Sequence, residues 1–209
     1  MSITYPLSTP TNKTIAEITL VARNVVGVST SPFTFKQQVY QFSGQRWEAD
    51  VTLPAMARED AEQWVSFLMK LYGQKGTFLL GDPIAGTPRG SASSAAGTPV
   101  VNGASQTGGT LAIDGLPASA TGYLKAGDYI QLGSAATAQL YKVLNDADSN
   151  GSGEATLDIY PNLRSSPSDG ATVVVSNAKG VFRLSSNETS WSINRLSLYG
   201  ITFGATESL

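Results

Sequence analysis

The 209-residue chain contains no cysteine and no histidine. Without cysteine there is no disulfide, thiolate metal site or thiol nucleophile, and without histidine the commonest neutral-pH base and metal ligand are missing. Most familiar enzyme constellations are thereby excluded, and the expectation is a protein that is not an enzyme and uses no cofactor. Charge is sparse too: 14 basic residues face 16 acidic ones, a formal charge of -2 with no basic stripe. Nucleic acid, which requires such a stripe for phosphate neutralisation, is not an expected partner. No apolar run is long enough to span a bilayer, and Met1 to Pro6 show neither a basic region nor an apolar stretch. Together these features predict a soluble chain made in the cytoplasm, with no membrane insertion.

A local absence is the most telling. No aromatic residue lies between Phe78 and Tyr123, and the only charges there are Asp82, Arg89 and Asp114, in a Gly/Ala/Ser/Thr-rich background. Such a stretch has too little bulk for a core of its own, so residues 85–121 read as a linker with room for one strand. The flanking segments carry ordinary globular patterning. Residues 1–84 have too few inward faces to bury Trp47, Trp64 and Phe78, and the tail residues Phe182, Trp191 and Phe203 are expected to complete their core. The fold class that follows is mainly β with one flanking α-helix. Residues 1–84 and 178–209 form a discontinuous β-sandwich core domain, interrupted by an inserted small β-barrel or sandwich domain at 122–177.

Within that frame, Ala16, Ile18, Leu20 and Ala22 alternate with polar residues and predict a strand over 14–23. Strands over 34–42 and 45–53 flank Ser43 and Gly44, a hairpin signal in which Trp47, Ala49, Val51 and Leu53 face inward. Ala61, Trp64, Val65, Leu68 and Tyr72 then share one side of a helix over 58–72, stopped by Gly73, with no capping side chain at Ala57. Short strands are expected at 77–80, 129–132, 139–144, 155–160, 172–176 and 181–184. The apolar phase slips between Trp191/Ile193 and Leu196/Leu198, which predicts a β-bulge near Asn194 and Arg195.

Candidate sites are few. Asp146, Asp148 and Asn150 open like a calcium loop, but Leu157 stands where the bidentate Glu is required, so a polar hairpin turn outweighs a metal site. The pairs Glu48/Asp50 and Glu59/Asp60 read as solvated surface, and Ser176 with Lys179 matches S-x-x-K without its companion motifs. Gly103 to Gly109 lacks the setting of a phosphate loop. More informative are Phe33, Phe35, Tyr40 and Phe42, which occupy both phases of one strand, together with the uncharged Gln37 and Gln38. A one-sided core cannot take all of these rings, so either a second internal layer or a neighbouring subunit covers them.

The residues at 44–54, 60–64 and 72–83, running from Gly44-Gln45-Arg46-Trp47 to Leu80-Gly81-Asp82-Pro83, resemble the distal tail proteins of long-tailed bacteriophages. The resemblance covers about 14–84 and 182–203, and extends to 124–133 and 157–164 in the inserted part. It implies a structural virion protein at the phage tail tip, assembled as a hexameric ring that joins the tail tube to the hub or baseplate. Its expected partners are itself, the tube and hub proteins, and a host-surface glycan touched by the second β domain. Two alternatives stay open. One is a carbohydrate-binding module in which Tyr123, Tyr129, Tyr141 or Tyr160 stacks on sugar; the other is a tail-tube or terminator protein.

Overall fold

A computed structural model describes residues 3–12 and 14–209. The protein is mainly β with one α-helix among the described residues. Its first body is a mixed seven-stranded sheet. In chain order the strands are β1 (Leu7–Ser8), β2 (Glu17–Thr30), β3 (Gln37–Thr52) and β4 (Thr77–Leu80), then β11 (Gly180–Leu184), β12 (Trp191–Ile193) and β13 (Tyr199–Glu207). They lie side by side as β1-β4-β11-β13-β3-β2, with β12 paired to β13 alone. β1 runs parallel to β4, and the remaining pairs are antiparallel.

The helix α1 (Arg58–Lys70) covers the inward face of this sheet. Trp64 and Phe67 meet edge to face, Phe67 meets Phe78, and Phe203 reaches both Trp64 and Phe78. Ala61, Trp64, Val65 and Leu68 are buried where their spacing places them, while Ala57 makes no side-chain cap. Tyr72 departs from that stripe. Its backbone is left-handed at φ 50°, immediately before Gly73 at 66°, so the helix has already ended and the ring points outward.

The second body is a six-stranded sheet, β10-β7-β8-β9-β6-β5, curled into a nearly closed barrel. Its strands are β5 (Val100–Val101), β6 (Thr110–Asp114), β7 (Tyr129–Leu132), β8 (Gln139–Val143), β9 (Ala155–Tyr160) and β10 (Val173–Val174). The bridge Val100 to Thr172 and the amides of Val101 and Val173, donating to Ala171 and Pro99, join the two ends. Leu111, Ile113, Tyr123, Leu124, Ile130, Tyr141, Val143 and Leu157 fill its interior.

The reading of 85–121 as a linker is corrected here. That stretch supplies β5 and β6 and buries Ala92, Val101, Leu111 and Ile113. It needs no aromatics of its own because Tyr123 and Tyr141, from later strands and turns, provide the bulk it lacks. The chain leaves the sheet at Leu80 and returns at Gly180, which are register partners. The passage is tight: a Cβ on Gly81 would lie 2.2 Å from the Ala178 carbonyl oxygen.

Three further expectations change. Ser43 and Gly44 are not a turn but lie within β3, and the reversal sits between Ser31 and Lys36, where Ser31 donates to the Lys36 carbonyl. The slip after Ile193 is a tight hairpin turn rather than a bulge, with the Asn194 side chain accepting from the amides of Leu196 and Leu198. Trp191 stays 41% exposed instead of joining the core.

Candidate assembly surface

β2 and β3 pair along nearly their whole length, but only their bases belong to the core. β13 reaches β3 only between Glu48 and Thr52, and β2 is the last strand of the sheet. Beyond Gln45 the two strands therefore continue as a two-stranded ribbon with both long edges unpaired among the described residues. The register shifts between Asn24 and Val26, where Val25 faces the Phe42–Gly44 segment of β3. Gly44 leaves room at that break, since a Cβ there would come within 2.9 Å of a Val25 methyl and push it aside.

Side chains of this ribbon do not follow the usual division into a greasy and a wet face. The pairing sets Val28 opposite Val39 and Val26 opposite Gln41 on one face, while Val25, Tyr40 and Phe42 lie on the other. Gly27 leaves room for the Phe42 ring, whose edge would touch a Cβ at 3.6 Å. All of these apolar residues are exposed. Gln38 donates to the Tyr40 hydroxyl at 2.5 Å, and Gln37 stands opposite Thr30. At the tip, Phe33 is 92% and Phe35 79% exposed, and Phe35 has a left-handed φ of 55°, an uncommon conformation for a bulky residue.

The sequence-derived interface residues Phe33, Phe35, Gln37, Gln38, Tyr40 and Phe42 thus all fall on the ribbon, uncovered. The sequence reading missed Val25, Val26 and Val28, because Asn24 and Gly27 interrupt the alternation that marks a strand. The signal was their partner: a long apolar strand at 37–42 needs an equally long neighbour.

Where the ribbon meets the sheet, Arg23 donates to Glu48 through two nitrogens, at 2.7 and 2.9 Å, and Arg46 donates through two more, at 2.9 and 2.6 Å. The hydrogen bonds from Arg23 and then Arg46 hold the Glu48 carboxyl below its ordinary pKa, and Glu48 in turn raises that of Arg23. A second, smaller exposed apolar hairpin carries Trp191, Ile193 and Leu196.

The other candidates have their groups already engaged. Asp146 accepts from the Ala126 amide and from Lys125, in that order the causes of its lowered pKa, while Asp148 accepts from the Gly122 amide. Asn150 caps its own turn through the amides of Ser152 and Glu154. These bonds shape the stretch into a polar turn, and no cluster of three metal-ligating side chains occurs among the described residues. A cleft of about 910 Å³ runs between barrel and sheet, past Leu132, Thr137, Gln139, Ser166 and Glu207. The Glu207 carboxylate accepts from the Trp47 amide and from Arg164.

The four barrel tyrosines are equally committed. Tyr123 and Tyr141 are fully buried, Tyr129 nearly so, and Tyr160 is half-buried against Trp47 at 5.1 Å. Burial pushes the Tyr123 hydroxyl up to about 12, and moves Tyr141 and Tyr160 in the same direction. Tyr123, Tyr129 and Tyr141 therefore present no ring face for stacking on sugar. No described helix is long and apolar enough to cross a membrane. No protein-family model matches this chain, and no curated protein matches it.

Proposed function

We propose that the protein is a structural subunit that assembles with copies of itself through the β2–β3 ribbon. In this reading it forms the ring at the distal end of a phage tail that joins the tail tube to the hub. The observation that carries the proposal is the ribbon itself, an apolar two-stranded extension with two open edges and two open faces. A lone two-stranded ribbon is marginal in water, and an open apolar edge recruits other strands. Edge-to-edge addition of the next copy satisfies the unpaired amides and carbonyls while covering Val28, Val39, Tyr40 and Phe42. The two open edges belong to different strands, so the contact is head to tail, the kind that generates a ring when its rotation closes.

The tail location and the expectation of six copies come from the resemblance of segments 44–54, 60–64 and 72–83 to distal tail proteins. The glycan-binding alternative is weakened, because three of the four tyrosines it relied on, Tyr123, Tyr129 and Tyr141, are buried, while Tyr160 is half-buried against Trp47.

The test is the oligomeric state of the full chain and of a Phe35→Glu/Tyr40→Glu variant, by sedimentation and class-averaged micrographs. Closed rings from the wild type and folded single copies from the variant are expected. Wild type that stays monomeric at high concentration, or intact rings from the variant, would overturn the proposal. Copy number per virion separates a distal ring from a tube protein, which recurs along the tail.

A further inference from the structure

The ribbon does not leave the sheet unsupported. At its root, beside the register break, the barrel reaches across and holds both strands. The Asn162 amide donates to the Gln45 side-chain oxygen at 2.7 Å, and the Gln45 side-chain nitrogen donates to Asn24 at 3.1 Å. Arg164 donates to the Gln45 carbonyl, and the Tyr160 hydroxyl donates to the Arg23 carbonyl at 2.9 Å. Gln45, in a part of the ribbon that is otherwise open, is only 8% exposed.

Arg164 and Tyr160 are anchored behind. Arg164 is ion-paired to Glu207, which also accepts from the Trp47 amide. The Tyr160 ring meets Trp47 edge to face, and the Trp47 indole donates to the Leu140 carbonyl of the barrel at 3.1 Å. The grip therefore runs from the barrel wall to the ribbon root through the half-buried Tyr160 and Arg164, backed by the buried Trp47 and Glu207.

From these contacts we infer that the inserted barrel is a brace: Tyr160, Asn162 and Arg164 are positioning residues that set the direction in which the ribbon leaves the sheet. The inference rests on the ring reading for its consequence, but its geometry stands within one copy. A bulge bends and loosens a strand pair, so the root is where the ribbon swings. From Gln45 to the tip the ribbon is about 36 Å long at roughly 3.3 Å per residue, so a swing of about 10° displaces the tip by about 6 Å. A head-to-tail contact closes only at one rotation and otherwise propagates as an open filament. Fixing the root within each copy makes the closing rotation a property of the subunit.

Two full-length double variants test the brace. Gln45→Ala/Tyr160→Phe removes the links made by the Gln45 side chain and the Tyr160 hydroxyl, and Tyr160→Phe/Arg164→Lys keeps a cation beside Glu207 while releasing the Gln45 carbonyl. In the Phe35→Glu/Tyr40→Glu background, which holds the protein as single copies, amide hydrogen exchange over residues 24–45 should rise at least tenfold in both. Exchange in the barrel and beneath α1 should stay unchanged. In the otherwise wild-type chain, both should convert closed rings of uniform mass into open arcs or filaments.

Unchanged ribbon exchange in both variants, or wild-type rings from both, would overturn the brace. Faster exchange spread evenly over the whole protein would overturn it too, since that signals general destabilisation rather than a released root. If the parent chain forms no rings, the ring reading fails by itself, and exchange in single copies still decides the brace.

Discussion

The barrel and the ribbon are both antiparallel β structure within one chain, yet they solve the problem of strand edges in opposite ways. The barrel joins its end strands through Val100 and Thr172 and turns its large apolar residues inward, leaving Leu144 as its one exposed large hydrophobic residue among those described. The ribbon leaves its edges open and exposes Val28, Phe33, Phe35, Val39, Tyr40 and Phe42. A region that is complete alone tolerates no gap in its interior; a region that is unfinished alone has little to lose until a partner arrives. The difference separates what stabilises one copy from what joins several.

The sharpest way to break the comparison lies at the junction of the two regions. Arg164→Ala leaves the Glu207 carboxylate, itself 7% exposed, without its cation, which should lower stability by about 3–5 kcal/mol. Denaturant titration would measure it, and a loss under 1 kcal/mol would mean water reaches Glu207 freely.

Within the barrel, Ile130→Ala removes bulk from a fully buried site and should cost about 2–5 kcal/mol. On the ribbon, Phe33→Ala should change single-copy stability by no more than about 0.5 kcal/mol while weakening assembly. Equal losses from the two substitutions would show that the ribbon is covered within its own copy.

Titration sharpens the contrast from the alkaline side. The Tyr123 phenol ionises at about 12 in the folded barrel, against 10 ordinarily, so the unfolded chain gives up that proton first. Barrel stability should be intact below pH 10 and decline as pH climbs toward 12, followed by phenolate absorbance alongside circular dichroism. Ionisation of Tyr123 at its ordinary value without loss of structure would refute its burial.

The smallest effect is at the ribbon root. The folded pKa of Glu48 is depressed by Arg23 and Arg46, so its contribution is present above the ordinary value of 4.5 and fades as pH falls through the lowered one. Because the arginines are exposed, the change should be slight, and Glu48→Gln should abolish it.

Legibility in the sequence followed the same division. The α1 stripe, the inward set Trp47, Ala49 and Val51, and the strands at 77–80, 129–132 and 155–160 were readable because local periodicity and tertiary burial agree there. The ribbon residues were conspicuous as an excess of rings that no single core could hold. Three features were hidden. The residues at 85–121 looked like a linker because aliphatic residues borrow their core from distant tyrosines; Ser43-Gly44 imitated a turn; and Asn24 with Gly27 masked the second half of β2. The grip on Gln45 lay beyond reach, since its barrel partners are 117 and 119 positions away in the chain.

By itself, the sequence determined that this protein is built from strands around one helix, that it has no thiol and no imidazole side chain, and that its aromatic residues outnumber the places inside one core. Those properties are written in residue identity and short-range period, and neither depends on which strand meets which. Only the tertiary structure decided that the stretch at 85–121 closes a barrel, that the surplus rings stand out on a bare ribbon, and that the barrel holds that ribbon at its root. Each of these depends on contacts between segments far apart in the chain, and long-range pairing leaves no local periodicity to read.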